Sequence, residues 1–180
     1  MDEATPTLTS PRLALRPVDG SDAAALHQHW TDPGVRRYLW DDEVISREQV
    51  EDLVAQSAQL FAERGYGLWA ICHRDADDLL GCGGYWEFHE PPQLELVLSL
   101  SPAHWGRGVA TEACDRLIRY AFDELGFGEV RASTDAPNEP SRRLIERLGF
   151  RDSHRADVGG LDTQFFTVSR SAYGSDDRAE

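Results

Sequence analysis

The sequence predicts an α/β domain built on one mixed sheet, and three observations carry that prediction. Early apolar–polar runs are separated by tight turns, so those strands pair antiparallel. Residues 94–134 read as strand, helix, strand, a passage that calls for a right-handed crossover. The chain ends in two extended runs around Gly159 and Gly160, a hairpin pattern. The expected order is β-α-α-β-β-β-α-β-α-β-β. This is a mixed α+β sheet and not a doubly wound parallel one.

Each element has its own reason. In "RLALRPV", Leu13 and Leu15 share one strand face, while Arg12, Ala14 and Arg16 share the other. "DGSDAAALHQHW" starts a helix with Ser21 or Asp22 as its N-cap. "SREQVEDLVAQSAQLFAERG" carries Val50, Leu53, Val54, Leu60 and Phe61 at helical spacing and stops at Gly65. "YGLWAICHR" and "DLLGCGGYWEF" are strands parted by the turn "DADD", and "LELVLSL" follows the turn "EPPQ". In "ATEACDRLIRYAFDELG", Ala113, Leu117, Ile118, Ala121 and Phe122 form an apolar stripe that ends before Gly126. "GEVRAST" is a strand with Val130 and Ala132 inward. Asn138 caps a short helix in which Pro140 is tolerated in the first turn, and Gly149 stops it.

The 180 residues suit a single domain spanning 1–180, with residues 1–7 and 174–180 expected as flexible tails. No run of about 18 apolar residues exists to span a membrane, and the acidic "MDEATPTLTS" is unlike a secretory signal. Cys72, Cys82 and Cys114 are odd in number and lack C-x-x-C spacing, so they read as buried thiols in a reducing cytoplasm. Scattered histidines offer no metal pattern; His27 and His29 stand on different helix faces. The formal net charge is −14, and all 18 basic residues are arginine. That balance argues against nucleic acid as a partner, since phosphate binding needs clustered cations. It either attracts cationic partners, amines among them, or simply keeps the chain soluble.

The segment "SPAHWGRGVATEA" sets two glycines between a strand and a helix. An ordinary turn would explain it, as would a cradle for an anion. A nucleotide-hydrolase loop requires a lysine, and the chain has none. A dinucleotide-binding loop wants a third glycine, and Thr111 stands in its place. "LELVLSLSPAHWGRGVATEA" followed by "VRASTDAPNEPSRRLIERLGF" resembles the GNAT superfamily of N-acetyltransferases, in its RimJ/RimL-like branch. The family's acyl-CoA loop falls on Trp105, Gly106, Arg107, Gly108, Val109 and Ala110, with Trp105 departing from the superfamily's Gln or Arg. Its N-x-x-S and closing G-F fall on Asn138, Ser141, Gly149 and Phe150. The opening, "LTSPRLALRPVDGSDAAALHQHWTDPGVRRYL", is similar to the start of this branch, and the likeness covers about residues 8–170.

The resemblance implies a GNAT fold with splayed central strands. It also implies acetyl-CoA as co-substrate with no metal, and an amine acceptor, either a protein N-terminus or a small amine. Glycines at 106 and 108 let the backbone approach a pyrophosphate at the helix mouth, where Thr111 also lies. Arg107 either steers that anion or faces water. By the same resemblance, the backbone of Leu98, Ser99 and Leu100 lines the pantetheine arm, and an N–H near Leu98 holds the thioester oxygen. One such donor is worth about 3 kcal/mol in a transition state. Asn138 bonds the arm from the other side, Ser141 protonates the departing thiolate, and Arg143 reaches a phosphate. Each has a plainer alternative, as helix cap or solvated surface.

The acceptor must attack as a neutral amine. An α-amino group near pKa 8 is roughly one-tenth neutral at pH 7, a cost of about 1.4 kcal/mol; for lysine the cost is about 4.6 kcal/mol. Glu95 is the candidate base, directly or through a water, with Glu87 in reserve. Tyr38 and Trp40 beside Asp41, Asp42 and Glu43 are candidates for an acceptor wall. A homodimer paired through the final strands fits the same pattern. A different class, a domain that binds acyl-CoA as a sensor without turnover, stays open at this point.

Overall fold

The computed structural model describes residues 7–175, in which the elements run β1 (Leu8–Thr9), β2 (Leu13–Pro17), α1 (Ala23–Thr31), α2 (Pro33–Leu39), α3 (Arg47–Arg64), β3 (Leu68–His73), β4 (Leu79–Phe88), β5 (Gln93–Leu100), α4 (Val109–Asp123), β6 (Glu129–Asp135), α5 (Glu139–Arg147), β7 (Arg151–Val158), β8 (Leu161–Ser169) and α6 (Arg170–Ser175). Short 3-10 turns, Gly20–Asp22 and Pro102–His104, precede α1 and α4. The predicted order is present, with β1, α2 and α6 as additions. The expected tails lie outside the described residues, apart from Thr7 and positions 174 and 175, which end α6.

Strands β1 to β5 form an antiparallel sheet in sequence order, and β6, β8 and β7 form a second antiparallel sheet. No ladder joins β5 to β6. The expected splay is therefore complete, and the one mixed sheet read from the sequence is divided into two antiparallel ones: β5 and β6 pack side by side without pairing. Helix α4 packs against β2, β4, β5 and β6, so it bridges both sheets.

Alternation along the strands sorts the core into two layers. On β3, Trp69 and Ile71 face α4, while Leu68, Ala70 and Cys72 face α1 to α3. The α4 stripe is realised as predicted, with Ala113, Leu117, Ile118 and Ala121 fully buried. Of these, Leu117 and Ile118 contribute about 1.5–3 kcal/mol each on burial. On β5, Leu94, Leu96, Leu98 and Leu100 take the α4 side, whereas Val97 packs with the α1–α3 layer. Glu95 and Ser99 share Val97's parity. That parity puts Glu95 on the face of β5 away from the α4-side leucines.

Local chemistry explains the capping. Asp19, not Ser21 or Asp22, caps the first turn, accepting from the Ser21 N–H at 2.8 Å. Asp22 occupies the N-cap position of α1 without capping it, because Arg16 holds its carboxylate in a bidentate pair at 2.8 Å. Asp32 caps α2 through the Gly34 N–H, and Pro33 sits at the start of the helix, where its missing N–H costs nothing. Gly65 ends α3 at φ 76°, as expected. Among the described residues, no helix is long and apolar enough to cross a membrane. The three cysteines are buried and unpaired.

Candidate functional site

The gap between β5 and β6 opens into a cleft of about 1170 Å³ lined by residues of α2, α4 and α5 as well as of the two strands. Leu98, Ser99 and Leu100 line it along the unpaired edge of β5, and Glu95 lies further along the same strand. The Ser99 hydroxyl turns away, toward His29 Nε2 at 2.9 Å and Trp30 Nε1 at 3.3 Å, so only its backbone serves the cleft. The Leu100 carbonyl accepts from the Trp105 indole N–H at 2.8 Å, which fixes the half-exposed Trp105 as the post where strand becomes loop.

Gly106 and Gly108 hold φ of 70° and 75°, a left-handed backbone that L side chains rarely adopt. Gly108 is the N-cap residue of α4 and no side chain caps the helix, so its first N–H groups and the positive end of its dipole face the cleft. Gly106, Gly108, Val109, Ala110 and Thr111 line it there, with Val109 buried beneath. Arg107 does not line the cleft; its carbonyl is held by Arg12 Nη1 at 3.0 Å. Arg12 also pairs with Glu112 in the first turn of α4, at 2.6 Å. Burial opposes the ionisation of Glu112, but Ser10, the Arg12 N–H and the Arg12 guanidinium outweigh it and hold the carboxyl below its usual range. Its negative charge is thus matched locally rather than left facing the helix mouth.

Across from the loop, Asn138 caps α5 by accepting from the Ser141 N–H at 3.3 Å, and both residues line the cleft. The cap leaves the Asn138 amide nitrogen and the Ser141 hydroxyl for a ligand. Arg143 also lines the cleft while paired with Glu139 one turn earlier. Arg147, which sequence reasoning passed over, lines the cleft too and approaches Thr111 Oγ1 at 3.5 Å. An uncapped helix mouth, two positive-φ glycines, two arginines and an unpaired strand edge fit a long ligand that is anionic at one end and amide-bearing along its length.

At the other end the unpaired strands are stitched by side chains. Glu95 is only 3% exposed, and the Ser133 hydroxyl on β6 donates to its Oε2 at 2.5 Å. His89, in the turn between β4 and β5, places Nε2 at 3.0 Å from Glu95 Oε1 and 3.2 Å from Ser133 Oγ. His89 stands six residues before Glu95 in a hairpin, a signal present in the sequence; Ser133 is 38 residues away from Glu95 and gave none. Glu87 is exposed and does not line the cleft.

The aromatic and acidic wall forms only in part. Tyr38 and Asp41 line the cleft, but Arg37 sits 5.2 Å above the Tyr38 ring. Trp40 instead packs edge-on against Trp30, centroids 5.7 Å apart, and Asp42 pairs with Arg36. Asp135 lines the cleft and its carboxyl is raised above its usual range by burial and by the charge of Asp41.

Comparison with known proteins gives the family and the fold. The model of the acetyltransferase (GNAT) domain matches residues 12–151. The uncharacterised N-acetyltransferase p20 of Bacillus licheniformis is 30% identical over 174 residues, covering 93% of this chain and 98% of the relative. YdaF of Bacillus subtilis, named as a candidate ribosomal N-acetyltransferase, is 43% identical over 54 residues, 30% of either chain. The crystal structure of an acetyltransferase from Agrobacterium tumefaciens superposes with a TM-score of 0.81 at 22% identity, covering 94% of this chain and 98% of that one.

Proposed function

Because this chain belongs to the GNAT acetyltransferase family, we propose that it moves an acetyl group from acetyl-CoA to a protein N-terminal α-amino group by direct attack of that amine. The observation that carries the proposal is a single cleft with an anion-receptive helix mouth at one end and a buried, hydrogen-bonded carboxylate at the other. Acetyl-CoA supplies an acyl carbon on a good leaving group. The protein's task is to hold that carbon, orient the amine and take up its proton.

The assignments are these. Main-chain N–H groups at Gly106, Gly108, Val109, Ala110 and Thr111 receive the diphosphate, with Arg143 and Arg147 on the facing helix. Arg107 faces water. The β5 edge at Leu98 to Leu100 and the Asn138 amide hold the extended arm. Ser141 donates to the sulfur side, and the cluster around Glu95 serves the amine.

Direct transfer is supported by the cysteines. Cys114 lines the cleft, yet it is 2% exposed and burial pushes its thiol up to about 12, so it is no thiolate at neutral pH. An α-amino acceptor is supported by arithmetic: one weak base meets a deprotonation cost of about 1.4 kcal/mol far more easily than lysine's roughly 4.6 kcal/mol. The RimJ/RimL-like branch is part of the same reading, supported by the loop around Trp105 and by the short match to YdaF. The test is thiol release from acetyl-CoA across peptides with free N-termini, the same peptides blocked but bearing lysine, and small polyamines. We expect release with free N-termini and products one acetyl group heavier at that position. Release confined to the polyamines would overturn the acceptor class; release with none would overturn the transferase reading.

A further inference from the structure

We propose that His89 is the group that takes the proton from the attacking amine, with Glu95 and Ser133 holding its ring; this deepens the transferase reading above and rests on it. A carboxylate only accepts, and Ser133 gives its one hydroxyl proton to Glu95 Oε2. The contacts from His89 Nε2 to Glu95 Oε1 and to Ser133 Oγ therefore both require the proton on Nε2. That assigns the tautomer, and it leaves Nδ1 as the basic atom of the neutral ring. Among the described residues nothing hydrogen-bonds to Nδ1.

Both oxygens of Glu95 are engaged and its side chain is 3% exposed, whereas that of His89 is 16% exposed and lines the cleft. Against His89 lie Glu95 from β5, Ser133 from β6 and two rings, Phe165 of β8 with its centroid 4.9 Å away and Phe88 of β4 at 6.2 Å. The His89 backbone adopts φ 69°, uncommon outside glycine, and strain of this kind persists where surrounding contacts over-determine it. A carboxylate fixing the far nitrogen of an imidazole is the arrangement that fits such a ring for proton transfer.

The acceptor nitrogen bonds to the acetyl carbon as the carbon–sulfur bond breaks, and that electron pair leaves with sulfur. The nitrogen's proton passes to His89 Nδ1, giving an imidazolium whose Nε2–H stays on Glu95. The ring returns its proton to solvent, and the thiolate is protonated from solvent by way of the Ser141 hydroxyl.

Three variants and one spectrum test this. His89→Gln is expected to lower kcat about 100-fold or more, with the KM for acetyl-CoA and the calorimetric affinity for CoA unchanged. Added imidazole restores part of the turnover of His89→Ala. Glu95→Gln, which misdirects the ring without removing it, costs less than His89→Gln. In long-range 15N spectra, the His89 signals, identified by their loss in His89→Gln, report a proton on Nε2. Turnover of His89→Gln within about threefold of wild type, a larger loss in Glu95→Gln, or a ring proton on Nδ1 would each overturn the assignment. Failure of the wild type to release thiol with any amine would instead defeat the transferase reading, and this role with it.

Discussion

His29 offers a quantitative check on the packing behind β5. It is 6% exposed, with Nε2 at 2.9 Å from Ser99 Oγ and Nδ1 at 3.2 Å from Ser101 Oγ. Burial depresses its pKa from 6.5 to about 4, against a smaller opposing pull from Asp32. The unfolded chain therefore binds a proton that the folded chain refuses between those two values. Stability is full above the unfolded value and falls as pH drops toward the folded one. Between about pH 7.5 and 4.5 this single group removes about 2.5 kcal/mol. Carboxylates begin to titrate at the lower end of this range, so the measurement is a difference. Urea unfolding of wild type and His29→Gln, followed by circular dichroism at a series of pH values, isolates the ring. The advantage of wild type over the variant should shrink by about 2.5 kcal/mol across the series. Parallel curves, within about 0.5 kcal/mol, would refute the burial argument. They would also detach α1 from any role in steadying β5.

Four further outcomes follow from the geometry. Gly108→Ala must hold φ 75° with a Cβ 3.3 Å from Arg12 Nη2; a cost of about 1–2 kcal/mol should displace the loop and weaken CoA binding up to about tenfold in calorimetry. Gly106→Ala meets open space and only the φ penalty, so its loss should be the smaller of the two. Ser57→Ala removes the buried acceptor of the Leu68 N–H, a 2.8 Å bond, and should lower stability by about 1–3 kcal/mol in urea unfolding. Gly84→Ala would drive a Cβ to 2.0 Å from the Gly67 carbonyl oxygen, backbone against backbone, and should lower the thermal midpoint sharply, by the equivalent of about 3 kcal/mol or more.

The elements whose reasons are local were legible in the sequence. Leu13 and Leu15, the α4 stripe, the Asn138 cap and the Gly159–Gly160 hairpin all stand where periodicity and turn chemistry put them. Helix α2 was not legible, because its 7 residues are too few for a helical period to show. The loop residues were found through the glycines, whose conformation is a backbone property. Arg147 and Ser133 escaped because their contacts cross 36 and 38 residues of chain. His89 escaped differently: its partner was near, but its own role depends on a hairpin register that pairs Phe88 with Gln93.

The gap between β5 and β6 has a consequence for how the molecule survives in a crowded solution. Bare strand margins commonly recruit foreign chains, and proteins guard them with charge, twist or cover. Here two of those margins face one another inside the fold, roofed by α4. A stray polypeptide would have to thread a seam already walled by helices. In the function proposed above, a slender thioester arm, carrying amides of its own, needs only to slide in from the side.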